Sequence, residues 1–233
     1  MKQEWLGLTD YVSAVQLQDK IIDRASLVNL LAHSEAGPGE TILGLEHPLT
    51  ITLGKRADIL KDIKAPIREL KAKQVAIVGV ERGGQATIHN PGQLVIYPII
   101  NLRERGIRVR DYVHALEDVT KRFLADYGVT ACCRGEEPGL YTIRGKIAFF
   151  GVRVKRGMTS HGVAINVSNN LEDFALIRSC GKEGEVFSSL NDFNVKVELE
   201  PLFRLWCDYF QTALGLTQDV NRPMLDKPFN LRV

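Results

Sequence analysis

Short strand-like segments fill the middle of this chain, and segments with helical periodicity lie on either side of them. The apolar run at 75–80 is typical of a buried strand, whereas the apolar residues that follow Asp111 recur at helical spacing. Strands and helices do not alternate regularly, so we expect a mixed α/β, or α+β, domain with a mixed sheet flanked by helices rather than a doubly wound sheet. The patterns predict helices at 11–33 and 65–72 and from 111 and 201, and strands at 41–45, 49–53, 75–80, 94–100, 128–133, 139–144, 146–155 and 161–168.

Composition excludes several classes of protein. Thirty Lys and Arg against 28 Asp and Glu leave a net charge of +2, which argues against a bulk nucleic-acid binder. The 4 cysteines form no C-x-x-C pair, so we expect neither a zinc knuckle nor a thioredoxin-like pair, and we expect no metal site. No apolar stretch approaches the roughly eighteen residues of a membrane span, and the first residues have no signal-peptide core. We therefore expect a cytoplasmic protein with one domain over 1–233 and a loosely ordered tail over 217–233.

Several segments contain residues suited to chemistry. The glycine-rich stretch 82–93 would let the backbone approach a ligand closely, although a plain hairpin loop has the same composition. Lys146 leads into an apolar run, where partial desolvation would suit a lysine to proton transfer. Cys180 precedes a glycine in a turn-like setting, and His161 begins a strand. Together they supply what acyl transfer through a thioester requires, and a hydrolase that pairs Cys180 with His89 or His161 stays open.

These segments also match the signature of a known family. The motifs are Arg82-Gly83-Gly84-Gln85-x-Thr87-x-His89, Lys146-Ile147-Ala148-x-x-Gly151, His161-Gly162-x-Ala164-x-Asn166 and Phe174-x-x-Ile177-x-x-Cys180-Gly181. In this order they resemble the lipoyl(octanoyl) transferases, and the resemblance runs from roughly residue 40 to 181. It implies the catalytic fold shared with lipoate- and biotin-protein ligases.

The resemblance further implies an activity and its residues. Cys180 would take an octanoyl group as a thioester from acyl carrier protein, and Lys146 would be the other member of a cysteine–lysine dyad. The acceptor would be a lysine of a lipoyl domain of a 2-oxoacid dehydrogenase or of the glycine-cleavage H protein, with no cofactor. The residues implied to bind the acyl group are Arg82, Gly83, Gly84, Gln85, Ala86, Thr87, Ile88, His89, Phe149, Phe150, Gly151, Gly162, Val163 and Ala164.

The chain departs from the family pattern at two places. Ser179 stands where the family usually has proline before the catalytic cysteine. Phe149 and Phe150 replace smaller or aliphatic residues and would reshape the acyl pocket, so a preference for eight carbons is a hypothesis. Two other functions remain open: an ATP-dependent lipoate- or biotin-protein ligase, and a module that binds a lipoyl domain without catalysis.

Overall fold

A computed structural model describes residues 1–31, 39–134, 138–179 and 184–215 of the chain. Cys180 and the tail 217–233 therefore lie outside the described residues. The strands are β1 (Lys2–Leu8), β2 (Thr41–Glu46), β3 (Thr50–Leu53), β4 (Ala76–Gly79), β5 (Ala86–His89), β6 (Gln93–Ile99), β7 (Gly139–Thr142), β8 (Gly145–Lys155) and β9 (Met158–Asn166). The α-helices are α1 (Tyr11–Leu31), α2 (Ile59–Asp62), α3 (Ile67–Ala72), α4 (Val109–Ala125) and α5 (Leu199–Ala213), and 3₁₀ helices span Leu171–Leu176 and Leu190–Phe193.

The strands form two sheets of different size. The larger sheet has six strands in the order β1-β2-β6-β9-β8-β7, and the smaller has three in the order β4-β3-β5. In the larger sheet β1 and β2 run parallel, whereas the other neighbours are antiparallel. In the smaller sheet β3 pairs parallel with β4 and antiparallel with β5. Both sheets are therefore mixed, as the sequence predicts.

Apolar side chains pack on both faces of the larger sheet. One core joins this sheet to α4 and α5 and is built around Leu116, Phe123 and Trp206. The other joins it to α1, the smaller sheet and the 3₁₀ helix before Cys180, with Ile22 and Ile51 among its members. Adjacent residues of one strand divide between the cores, because successive side chains of a strand point to opposite faces.

Most elements predicted from periodicity are present, but their ends differ. Helix α4 begins at Val109, two residues before the predicted start. Helix α1 begins at Tyr11, as predicted, directly after Asp10, whose carboxylate accepts a hydrogen bond from Ser13 N at 2.8 Å. The predicted strand at 128–133 is wrong, since in that range only an isolated bridge forms, between Cys132 and Tyr141. Gly128, the first residue of the predicted strand, belongs instead to the turn that follows α4, where it takes a left-handed φ of 71°. Strands β1 and β5 were not predicted.

Candidate active site

A cavity of about 330 Å³ lies between β8, β9, the glycine-rich turn and the first turns of α1 and α4. This volume is in the range of small-molecule sites. Of the residues predicted to bind substrate or to act in catalysis, the following line it: Arg82, Gly83, Gly84, Gln85, Ala86, Thr87, His89, Lys146, Phe149, Phe150, Gly151, Gly162, Val163 and Ala164. Ile88 does not line the cavity; it is fully buried in the core, where it pairs with Ile51 of β3. The structure thus gathers three separate motifs around one cavity.

Lys146 is fully buried at the start of β8. Its Nζ lies 5.3 Å from the centre of the Tyr141 ring and 5.0 Å from the centre of the Phe149 ring. An ammonium group near aromatic faces is attracted by their negative electrostatic potential, which offsets part of the cost of taking the charge out of water. Gly139 leaves room for this amine, because a Cβ built there would lie 2.8 Å from Lys146 Cε.

The segment that follows Cys180 runs beside Lys146. Lys146 N donates to Val186 O at 2.8 Å, and Ser188 N donates to Lys146 O at 2.9 Å. The segment before Cys180 is fixed elsewhere, since Arg178 N donates to Asp62 O at 2.7 Å at the end of α2. Hydrogen bonds therefore hold the chain on both sides of the predicted nucleophile, and one of the two sides is anchored directly on the Lys146 backbone.

Arg82 organises the glycine-rich turn from within. Its Nη2 donates to Thr52 Oγ1 at 2.7 Å and to Gln85 O at 2.9 Å, and its Nη1 donates to Gly83 O at 2.9 Å. The aliphatic part of the Arg82 side chain passes close to Gly151, where a Cβ would lie 2.9 Å from Arg82 Cδ. These hydrogen bonds fix the conformation of the turn, which forms one wall of the cavity and is not a solvated hairpin loop.

Part of the cavity wall is polar, and most of its residues were not among the predicted site residues. Tyr11 and Tyr97 line the cavity beside His89 and His161. His47 lies behind them: its Nδ1 donates to Thr9 O at 2.6 Å, so its Nε2 accepts from Tyr97 Oη at 2.9 Å. We call Tyr11, His47, His89, Tyr97 and His161 the tyrosine–histidine cluster. Tyr97 lies within an apolar strand, and a buried tyrosine needs a hydrogen-bond partner for its hydroxyl. The sequence therefore indicated a polar group near Tyr97.

Burial keeps the histidines of this cluster neutral. Loss of water lowers the pKa of His47 to about 4, although its bond to Thr9 O opposes the shift. Loss of water, reinforced by Arg82, lowers the pKa of His161 to about 3. The pKa of His89 is lowered well below its ordinary value, first by burial and then by His47 and Arg82. The rings therefore act as neutral hydrogen-bonding groups at neutral pH.

His161 also has an unusual backbone. Its φ is 56°, in the left-handed region that a non-glycine residue inside a strand rarely occupies. Its N–H donates to Gln18 Oε1 of α1 at 2.7 Å, which satisfies a group turned away from the strand ladder. Strain of this kind persists where the surroundings fix it, and it clusters at functional sites.

A second chain of buried polar groups fixes His89. Gln93 Nε2 donates to Asn166 Oδ1 at 3.0 Å, so its Oε1 accepts from His89 Nδ1 at 2.7 Å. Asn166 Nδ2 in turn donates to Ser188 O at 3.1 Å, in the segment that flanks Lys146. Thr87 Oγ1, which is buried, has no hydrogen-bond partner within the described ranges.

Comparison with known proteins identifies the family. The model of the lipoyl protein ligase A/B catalytic domain matches residues 18–210. The chain belongs to the lipoyl protein ligase A/B catalytic domain family. Among curated members, the octanoyltransferase of Syntrophobacter fumaroxidans is 39% identical over 186 residues, which cover 80% of this chain and 78% of that protein.

Solved structures of lipoate and biotin protein ligases share the fold at low sequence identity. A putative lipoate protein ligase from T. acidophilum with bound lipoic acid has a TM-score of 0.72 and 13% identity, covering 92% of this chain and 86% of that chain. The biotin protein ligase of Aquifex aeolicus has a TM-score of 0.52 and 10% identity, covering 92% of this chain and 69% of that chain. Likenesses at this identity establish the fold alone.

The comparisons confirm the predicted family, the predicted mixed fold and the prediction of an octanoyltransferase, which is an acyltransferase. The roles of Cys180, Lys146 and the cavity residues stay predictions. In the part of the chain that the structure describes, no helix is long and apolar enough to cross a membrane. The same residues contain no group of three or more His, Cys, Asp or Glu side chains that could hold a metal ion.

Proposed function

We propose that this chain transfers an octanoyl group from acyl carrier protein to a lysine of a lipoyl domain, through a thioester on Cys180. The observation that carries the proposal is the position of Lys146, fully buried at the wall of a largely apolar cavity with its Nζ 5.0 Å from the centre of the Phe149 ring. Backbone hydrogen bonds between Lys146 and residues 186 and 188 support its closeness to Cys180.

The first half-reaction forms the acyl-enzyme. The Lys146 ammonium stabilises the Cys180 thiolate, which a free thiol with a pKa of about 8.5 would supply only sparsely at neutral pH. The thiolate attacks the carbonyl carbon of the octanoyl thioester, a new carbon–sulfur bond forms, and the bond to the carrier sulfur breaks. The carrier thiolate leaves with the proton of Lys146, which becomes a neutral amine.

The second half-reaction regenerates the enzyme. The acceptor lysine attacks the Cys180 thioester as a neutral amine, an amide bond forms, and the Cys180 thiolate leaves. Lys146 takes the proton that the attacking amine loses and is again an ammonium group. The acyl bond arrives activated as a thioester, so neither ATP nor a metal ion enters the balance. The reaction needs a free thiol, which the reducing cytoplasm maintains.

The cavity supplies the binding energy for the acyl chain. About seven carbons of an octanoyl group become buried, at roughly 0.8 kcal/mol each. Phe149 and Phe150 both line the cavity and occupy volume that smaller residues would leave empty. We infer that eight carbons is the preferred length, although one methylene discriminates by only about 1–3 kcal/mol. A series of acyl donors from six to twelve carbons tests this, and a maximum at any other length would contradict it.

Intact-mass analysis tests the proposed reaction. The protein is mixed with octanoyl-acyl carrier protein, and a hydroxylamine-labile octanoyl adduct is expected on the wild type and on Cys132→Ala, a control at an exposed cysteine. We expect no adduct on Cys180→Ala. Lys146→Met keeps most of the length of the side chain without its charge, and we expect it to acylate at least tenfold more slowly.

Addition of a lipoyl domain or the glycine-cleavage H protein then tests the acceptor. Loss of the adduct with octanoylation of that protein supports the full reaction. Release of free octanoate without an acceptor would instead indicate a cysteine hydrolase. If no adduct forms while the donor stays intact, the thioester mechanism is excluded, and pyrophosphate release from ATP and lipoate would identify a ligase.

A further inference from the structure

Three phenylalanine rings with nearly parallel planes pack together as a triangular stack beside Lys146. The centres of the Phe149 and Phe174 rings are 5.4 Å apart with an angle of 7° between the planes. Those of Phe174 and Phe187 are 4.1 Å apart at 18°. Phe149 and Phe187 are 6.1 Å apart at 25°. All three rings are thus nearly parallel, and Phe174 contacts both of the others.

Each ring comes from a different part of the site. Phe149 belongs to β8 and presents its ring to the Lys146 amine, with 5.0 Å between Nζ and the ring centre. Phe174 lies in the 3₁₀ helix that precedes Cys180. Phe187 lies in the segment that follows Cys180, and it forms a parallel bridge with Lys146 itself. The stack therefore connects the ring under the lysine amine to the chain on both sides of the predicted nucleophile.

Phe187 does not need to touch substrate to affect the reaction. It is half-buried and is absent from the cavity lining, whereas Phe149 lines the cavity. Its neighbours Val186 and Ser188 hold the Lys146 backbone by hydrogen bonds of 2.8 and 2.9 Å, while its ring packs against Phe149 both directly and through Phe174. Lys146 is thus held at its backbone by the Phe187 segment and at its amine by the ring that Phe187 supports.

We propose that Phe187 is a positioning residue for Lys146. Its ring fixes the orientation of Phe149, and that ring face holds the ammonium group at the place where it stabilises a thiolate. A smaller side chain at 187 frees Phe149 to rotate, and the Lys146 amine loses a cation–π contact and its fixed position. The inference rests on the proposed function, because it gives Lys146 a role toward Cys180.

The pH dependence of Cys180 alkylation measures this effect. Iodoacetamide modification at Cys180, located by peptide mass analysis, gives the pH at which the thiol becomes reactive. Among the described residues, Tyr141 also contacts the Lys146 amine and interacts with Glu185, and both stay unchanged in every variant. We expect Phe187→Leu to raise this inflection by about one pH unit, which reduces the thiolate fraction about tenfold below it.

Two matched variants separate positioning from general packing. Phe187→Tyr retains the ring, and we expect the wild-type inflection. Phe193→Leu makes the same replacement at another half-buried ring, which lies under Arg144 and outside the cavity lining. We expect it to lower the melting temperature as Phe187→Leu does while the inflection stays at its wild-type value.

The outcomes distinguish this inference from the proposed function. If the wild type forms the octanoyl adduct and Phe187→Leu has an unchanged inflection, the inference is wrong and the proposed function stands. An equal shift in Phe193→Leu would likewise overturn it, because the effect would then be one of stability. If the wild type forms no adduct at Cys180, both the proposed function and this inference fail.

Discussion

At the scale of single residues, the position of the Lys146 amine depends on a missing side chain. Gly139 of β7 pairs with Phe149 of β8, and its Cβ position is occupied by the lysine stem. The atoms nearest to an added methyl group would be Lys146 Cε at 2.8 Å and Nζ at 3.2 Å. These atoms form the flexible end of a side chain, so the lysine moves before the strands do.

Gly139→Ala is therefore expected to impair acylation while the protein stays folded. Displacement of a reacting group by about 1 Å can cost on the order of 100-fold in rate, and we expect a loss of 10- to 100-fold in octanoyl adduct formation. Stopped-flow mixing followed by intact-mass analysis gives the rate, and urea unfolding gives the stability. Gly79→Ala is the control, because nothing lies within 4 Å of its added Cβ. Wild-type acylation by Gly139→Ala would refute the argument.

At the scale of elements, sequence periodicity predicts which segments form helices and strands, but it does not predict which strands pair with one another. Of the five residues at helical spacing after Asp111, Tyr112, Leu116, Val119 and Phe123 are buried on α4. Tyr127 lies beyond the end of the helix at Ala125 and is half-buried. The predicted strand at 128–133 failed because strand pairing depends on a partner, and only Cys132 finds one, in Tyr141.

The candidate site shows the same limit. The motifs around Arg82, Lys146 and Gly162 identify one cavity, because each motif lies on an element that borders it. The contacts within the tyrosine–histidine cluster could not be predicted from local patterns, because they join residues distant in the chain. Tyr11 Oη and His161 Nδ1, 3.4 Å apart, are separated by 150 positions, and no local pattern encodes such a contact.

The packing of α4 on α5 gives a second prediction. Trp206 of α5 is fully buried, and its Nε1 donates to Thr120 Oγ1 of α4 at 3.0 Å. Trp206→Phe removes this donor and leaves a cavity, so we expect a loss of about 1–3 kcal/mol in the free energy of unfolding. Octanoyl adduct formation should keep its wild-type rate, because Trp206 is not part of the cavity lining.

Urea unfolding measures the loss, and Tyr209→Phe on the same helix is the control. The Tyr209 hydroxyl donates to Asp126 at 2.7 Å on the exposed side, where water replaces the lost partner, so Tyr209→Phe should cost less than Trp206→Phe. Equal losses in the two variants would contradict the proposed contribution of Trp206 to the packing of α5 on α4.

At the scale of the whole molecule, the tyrosine–histidine cluster makes stability depend on pH. His47, His89 and His161 are buried and neutral in the folded protein, with pKa values lowered to about 4 for His47 and about 3 for His161. Above their ordinary pKa of 6.5 these rings are neutral in both states and contribute no pH dependence. Below it the unfolded chain binds protons that the folded chain excludes, so the free energy of unfolding falls.

We therefore expect stability to decrease as the pH is lowered from 7.5 to 4.5, by on the order of 1 kcal/mol per pH unit for each histidine once the pH is well below 6.5. The carboxylates with lowered pKa values, such as Asp10, act in a lower window, because their stabilisation is lost only as the pH falls through their ordinary value of 3.8 and below. Urea unfolding at several pH values measures the slope. His47→Gln should flatten it, because one of the three buried rings is then absent. A free energy of unfolding that is constant between pH 7.5 and 4.5 would mean that these rings are protonated as easily in the folded protein as in the unfolded chain, and that the cluster is open to water.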